Sequence, residues 1–303
     1  KLTQSQIQAL QEDIIIPTFQ IIDGQEVLIP QIYLSPSSTT TTNKSGGIIS
    51  AGGNIIINTT ENIINKGYIK SGNNTSLLTQ GNLENTGGEI TTGQNLTISA
   101  ENIILSSLLT QNSTSSNFTE NQIQNVSKIN AGGSLTINTA NDFIAKGASI
   151  RAGNDIKISG GNNIYIGSDS STSSVSIEMS NHQGFFDAGN TLQESKTKSV
   201  SSSIESKGNI SIQSGGTFSL IAGQDSSNYH YKGTSGAIST NETTLASTTN
   251  TASNISGKEI SVTSALDINI KGSNISGTNG NLESLAGDIN ILNAINTNKS
   301  HTI

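Results

Sequence analysis

The chain has 303 residues, 32% of them apolar and only 12% charged, with a net charge of −7, 31 glycines and no cysteine. Neutralising phosphates takes clustered Lys and Arg, and a chain whose single arginine is Arg151 offers none, which argues against nucleic acid and anionic lipid as partners. Without thiols there are no disulfides, thiolate metal sites or cysteine nucleophiles, and no run approaches the roughly 18 apolar residues that span a bilayer as a helix.

Lys1-Leu2-Thr3 begins neither a signal peptide nor a translation start, so the sequence reads as an internal segment of an exported chain. Residues 1–46 form a leader. Thr3 with Gln6 fits a capping box, and Ile7, Leu10 and Ile14 share a helical face, which predicts a short helix from Gln4 to Glu12. Phe19–Ile22 and Val27–Ile29 flank Asp23-Gly24, a dipeptide suited to a tight hairpin turn, with Pro17 and Pro30 at the hairpin's outer ends. Residues 35–46 lack apolar periodicity and read as a Ser/Thr-rich link.

From Gly47 to residue 303 a phrase returns about every 20 residues. Ile63, Leu83, Ile103 and Phe143 mark one track; Ile57, Leu77, Ile98, Ile137 and Ile158 mark a second. Two tracks in step mean one structural unit that cannot bury its apolar face alone but can when stacked. The unit reads as strand end, glycine turn and new strand, as in Ile49-Ser50-Ala51-Gly52-Gly53-Asn54-Ile55-Ile56-Ile57, echoed from Ile129 through Gly132-Gly133 to Ile137 and from Ile150 through Gly153 to Ile158. In Leu135-Thr136-Ile137 and Ile156-Lys157-Ile158 apolar and polar residues alternate, one face inward and one to water. Glycine at the corner is expected to supply a positive φ.

Two or three short strands per coil without helical patterning predict an all-β chain folded as a right-handed parallel β-helix. Some ten coils at about 4.8 Å each would make a rod of roughly 50 Å. Asn62, Asn82 and Asn102 are placed to form an asparagine ladder at buried turns. The regularity breaks near 106–128, 168–203 and 224–253, polar stretches with local alternation such as Ser174-Val175-Ser176-Ile177, which read as hairpins or long strands leaving the rod or as plain loops. After each break the coil phrase resumes, as in Gly208-Asn209-Ile210-Ser211-Ile212.

No reactive constellation stands out. Asp142 and Asp155 fall on different sides of a 20-residue coil, whereas a polysaccharide-cleaving site needs converging carboxylates. His182, His230 and His301 lack ligand spacing, Gly52-Gly53-Asn54 lacks the acidic continuation of calcium-binding glycine repeats, and no phosphate loop is present. The sequence therefore calls for no catalytic residue, no metal and no cofactor. The tight aromatic cluster Tyr229, His230 and Tyr231, beside Lys232, is the candidate surface contact, with packing of its aromatics on the rod as the ordinary reading; Phe185-Phe186 is weighed the same way.

The coil phrases, above all Gly153-Asn154-Asp155-Ile156-Lys157-Ile158 and Ala286-Gly287-Asp288-Ile289-Asn290-Ile291-Leu292-Asn293-Ala294, resemble the repeat region of filamentous haemagglutinin-like exoproteins of two-partner secretion, which include contact-dependent growth inhibition proteins. The leader, from Leu2-Thr3 through Asp13-Ile14 to Val27-Leu28-Ile29-Pro30-Gln31-Ile32-Tyr33, is similar to a segment of such proteins but reads Ile15-Ile16-Pro17-Thr18-Phe19 where the family often has an aromatic-acidic stretch. The resemblance implies a secreted, non-enzymatic stalk on the bacterial cell surface, associated with virulence, exported through an outer-membrane transporter and presenting adhesive or toxin-delivery elements to a target-cell receptor or glycan. Host adhesin and interbacterial weapon both stay open, as does a passive spacer; the alternative class is a polysaccharide-binding or polysaccharide-degrading β-helix of the tailspike or lyase type.

Overall fold

A computed structural model describes residues 14–22, 25–33, 46–115, 117–183, 186–235 and 239–302. The chain divides into two compact units, Lys1–Gly46 and Gly47–Ile303. In the first, strand Ile14–Ile22 pairs antiparallel with Gln25–Tyr33, with Ile22 opposite Gln25; the expected turn dipeptide Asp23-Gly24 lies outside the described residues. Pro17 stands opposite Pro30 inside this ladder and not at its outer ends. Both strands of a two-stranded ladder are edges, so a missing N–H can fall on an unpaired side. The helix expected at Gln4–Glu12 lies outside the described residues, as do residues 35–45 of the link.

The second unit is all β and is a parallel β-helix of eight coils with three strands per coil. The first coil is Ile48–Ala51, Ile55–Thr59 and Ile63–Asn65; the last is Asn274–Ser276, Asn279–Ser284 and Ile289–Leu292. Each strand pairs in parallel with its counterpart one coil on, giving three stacked faces. Eight coils instead of ten give a stack of roughly 38 Å, because the three insertions take up more chain than the 20-residue period allows for.

The sequence tracks are the core. On the third face Ile63, Leu83, Ile103, Phe143, Ile164, Phe218, Ile268 and Ile289 stand in register. On the second, Ile57, Leu77, Ile98, Ile137, Ile158, Ile212, Val262 and Leu282 do the same. The first face stacks isoleucine on isoleucine in every coil: Ile49, Ile69, Ile90, Ile129, Ile150, Ile204, Ile255 and Ile275. Between the end coils these side chains are buried almost completely. β-branched residues with restricted χ1 suit such a column, since like rotamers repeat at the strand spacing.

The corners are held by two devices. At the second, Asn82 N–H donates to Asn62 Oδ1 (2.8 Å), Asn102 Nδ2 to Asn82 Oδ1 (2.9 Å) and Asp142 N–H to Asn102 Oδ1 (3.1 Å), so the expected ladder exists. It lies on the partly exposed side of the corner and not at a buried turn. A parallel column runs through Asn54, Asn74 and Asn95 at the first corner. Each side-chain oxygen thus accepts from the next coil, from its backbone N–H at every rung but Asn82, where the Asn102 side-chain amide donates, answering polar groups a turn would otherwise leave open.

The second device is glycine, for a reason other than the expected one. Gly52, Gly132 and Gly153 do not have positive φ; among the described residues that conformation belongs to Gly87, Gly147 and Gly272. A Cβ on Gly72, Gly93, Gly132 or Gly153 would fall well inside contact distance of the carbonyl oxygen of the glycine one coil before it, in the column Gly52–Gly72–Gly93–Gly132–Gly153. Close backbone approach, and not torsion, requires glycine at these rungs; in the coil after Gly153 the position is taken by Lys207.

Candidate contact surface

All three sequence breaks leave the rod at one corner, between the third face of one coil and the first face of the next, and all three are antiparallel hairpins. They are Leu108–Ser115 with Phe118–Asn125, Ile164–Gln183 with Phe186–Ser201, and Gly223–Ser235 with Ser239–Thr251. The second is continuous with its coil, since Ile164–Gly167 pairs along the third face and the strand crosses into the hairpin at Ser168. A final strand, Thr297–Thr302, leaves the last coil at the same corner and pairs with Ser239–Thr251.

Coils without a hairpin close this corner tightly. Gly87, Gly147 and Gly272 lie there with φ of 61°, 56° and 58°. A Cβ at Gly87 would strike Leu108, at Gly147 Ser107 and Asp169, and at Gly272 Ala222 and Ala294, all at the roots of projecting strands. Glycine gives both the left-handed turn and the room for neighbouring hairpins to emerge. The roots are also bonded: Ser202 Oγ donates to Gly167 O (2.6 Å) and accepts from Ala148 N–H (3.1 Å), and Asp169 Oδ2 accepts from Ser107 N–H (3.0 Å).

The hairpins merge. Phe118–Asn125 pairs with the second hairpin and the second with the third, so the seven strands form one antiparallel sheet beside the rod. We call it the wing. One residue row crosses it in register: Phe118, Val175, Glu194, Tyr229, Leu245 and Ser300. Next to it Ile177, Leu192, Tyr231 and Thr243 align on the same face. Two adjoining recesses lie along the first row, of about 370 Å³ from Phe118 to Leu245 and about 620 Å³ from Tyr229 to Ser300, and share Tyr229 and Leu245. Leu245 is 45% exposed and Ile177 37%, so this apolar row is open to water.

Strand alternation splits the candidate cluster. Tyr229 and Tyr231 lie on the row's face, half-buried against their cross-strand neighbours in the wing, while His230 points to the opposite face. There His230 Nδ1 lies 3.1 Å from Thr244 Oγ1 and 3.9 Å from a Glu242 carboxylate oxygen. Lys196 forms an ion pair with Glu194 in the recess wall. Sequence reasoning missed Phe118, Val175 and Leu245, which lie on different hairpins and meet only through cross-strand register. The side chains of His182 and Phe186, and Phe185 altogether, lie outside the described residues.

The carboxylates weighed for catalysis are engaged in the stack. Asp142 Oδ1 accepts from Asn163 N–H and Asn162 Nδ2 (both 3.0 Å), and Asp155 Oδ1 from Asn209 N–H (2.8 Å). Among the described residues no three His, Asp or Glu gather in an arrangement able to hold a metal ion.

Residues 233–302 match the family model described as Hemagglutinin repeat. The matched segment takes in the outer arm of the third hairpin, the last two coils and the closing strand, so the match spans strands of both wing and rod. Over these residues the chain is similar to the repeats of filamentous haemagglutinin-like proteins, in line with the resemblance of its coil phrases. Comparison with curated proteins and with solved structures finds no match.

Proposed function

We propose that this unit is a non-enzymatic contact module of a secreted bacterial surface protein, in which the rod supplies stiffness and reach and the wing meets the target cell. The observation that carries this reading is the merger of three separate hairpins into one sheet with an open apolar row on its face. A passive spacer needs only the coils, and a sheet that covers no core is a costly addition unless its surface is used. Export through an outer-membrane transporter and delivery of adhesive or toxic elements to bacterial or host cells fit a repeat of this type. The engagement of Asp142 and Asp155 with neighbouring coils favours this reading over a polysaccharide-cleaving rod.

The test is binding of the labelled 303-residue chain to bacterial and to animal cells, side by side, against a Leu245→Lys/Tyr229→Ser variant. Saturable binding to one cell type that the variant loses supports the wing as the contact. Equal binding by both proteins would move the contact off this row, and none by either would leave the module a spacer.

A further inference from the structure

Three residue rows lie side by side on the face of the wing that carries the open row. The middle row holds Val175, Glu194, Tyr229 and Leu245. Toward the hairpin tips stand Ile177, Leu192, Tyr231 and Thr243; toward the rod stand Ser173, Lys196, Ser227 and Ser247. Neighbouring rows are two residues, or about 7 Å, apart along the strands, so the three make a channel about 14 Å across. From Phe118 to Leu245 it runs about 19 Å, four strand spacings. Its outer side is apolar and aromatic and its inner side carries hydroxyls.

Three observations narrow what fits this channel. A Cβ on Gly233 would fall 2.6 Å from the Tyr231 hydroxyl oxygen and 3.1 Å from its Cζ, so the phenol is laid along its own strand over Gly233 and not stood off from the sheet. A bare glycine leaves the room for this, and the outer side of the ring is left to a ligand. Glu194 and Lys196, two residues apart on the same face, form an ion pair with each other, so the channel presents no uncompensated charge. At the middle row each of the five strands from Phe118–Asn125 to Ser239–Thr251 is paired on both sides, which leaves no backbone edge for an added peptide strand.

We propose that this channel binds an uncharged oligosaccharide. The inference rests on the reading of the wing as the contact and names the class of ligand it takes. A pyranose ring joins a face of C–H groups to a rim of hydroxyls: the face lies against Tyr231 and Tyr229, and the rim bonds with the hydroxyls of Ser173, Ser227 and Ser247 and donates to the Glu194 carboxylate. An acyl chain would leave that polar row unanswered, and a sulfated or sialylated sugar finds no free cation to meet its charge.

Two assays with the whole 303-residue chain test this. In the first, labelled protein is titrated on immobilised hexasaccharides of glucose, mannose, galactose and N-acetylglucosamine, with heparin hexasaccharide and oligosialic acid as charged counterparts. Saturable binding to a neutral hexasaccharide is expected, unchanged by added salt. Tyr231→Ala is expected to weaken it about tenfold, Tyr231→Phe to keep it, and His230→Ala, on the opposite face, to leave it unchanged, all with the wild-type thermal transition. Binding to none of the neutral sugars, binding to the charged ones alone, or equal binding by Tyr231→Ala overturns the proposal. In the second, cells that bind the wild type are first oxidised with periodate, which cleaves the vicinal diols of sugars, and their binding is expected to disappear. Binding that survives periodate yet is lost in the Leu245→Lys/Tyr229→Ser variant overturns the sugar and keeps the wing as a contact for protein. Cell binding that the variant retains counts instead against the wing as the contact.

Discussion

Rod and wing are built from the same polar alphabet of Ser, Thr, Asn and Gly, yet they solve the backbone problem differently. In the rod each strand pairs in parallel with the next coil and turns alternate side chains into a shared core. In the wing strands pair antiparallel, largely with their own hairpin partners, and the sheet contributes almost nothing to that core. Parallel strands need covered surfaces, and here the other two faces of the coil provide them, whereas antiparallel hairpins tolerate water. The rod therefore draws its stability from buried ladders, and the wing from cross-strand pairs and the bonded corner at its base. Stability is concentrated in the rod, so surface residues of the wing can change at little cost to the fold.

The largest expected effect comes from placing the same charge in each region. Ile156, 1% exposed between Leu135 and Ile210, is a ladder residue, and Ile156→Asp should cost about 4 kcal/mol or more because the carboxylate has no partner in the stack. Leu245→Asp, on the open row of the wing, should stay within about 1 kcal/mol. Urea unfolding followed by far-ultraviolet circular dichroism measures both. Comparable losses would mean that the wing and rod share one core and that the division drawn here fails.

A smaller effect, of opposite sign at two rungs of one column, sharpens the account of the rod. Gly93→Ala forces a methyl onto the Gly72 carbonyl and should destabilise by about 1–3 kcal/mol. Gly52→Ala, with open space above it, should stabilise the isolated chain by about 0.4–1 kcal/mol by narrowing the unfolded ensemble. Midpoints of urea unfolding decide the sign. Destabilisation at both positions would point to torsion and not to carbonyl contact as the reason for glycine.

Much of the rod is legible in the sequence because its code is local: the ladder through Ile57, Leu77 and Ile98 is a spacing anyone can count, and each rung contacts its counterpart one period away. The asparagine ladder is readable for the same reason, although its exposure is not, since a corner residue's burial depends on how the neighbouring coil tilts over it. The glycines mislead because sequence reveals their presence but not which of two demands, torsion or space, they meet. The wing is half legible. Ser174-Val175-Ser176-Ile177 betrays a strand, but the meeting of Phe118, Val175, Tyr229 and Leu245 depends on pairing between separate hairpins, for which polar sequences carry no strong register signal. The same holds for Tyr229-His230-Tyr231, a cluster in the chain that the strand divides between two faces.

Tyr165 gives the smallest effect and tests the boundary itself. It sits in the strand that begins as a rung of the rod and ends as an arm of the wing, two residues before Gly167, with Lys146 Nζ 5.8 Å from its ring centroid. Half-buried there, its phenol is pushed above its ordinary pKa of 10.0 by desolvation. A raised folded-state pKa means that the native chain holds this proton more tightly than the unfolded one. The associated stability is fully present below pH 10 and is lost as pH climbs through the folded value, because the unfolded tyrosine ionises first. Stability should thus fall more steeply above pH 10 in the wild type than in Tyr165→Phe, with no difference between their slopes at neutral pH. Identical alkaline slopes would mean that the root of the second hairpin is as wet as the arm beyond it, and that the change from rod to wing begins before Gly167.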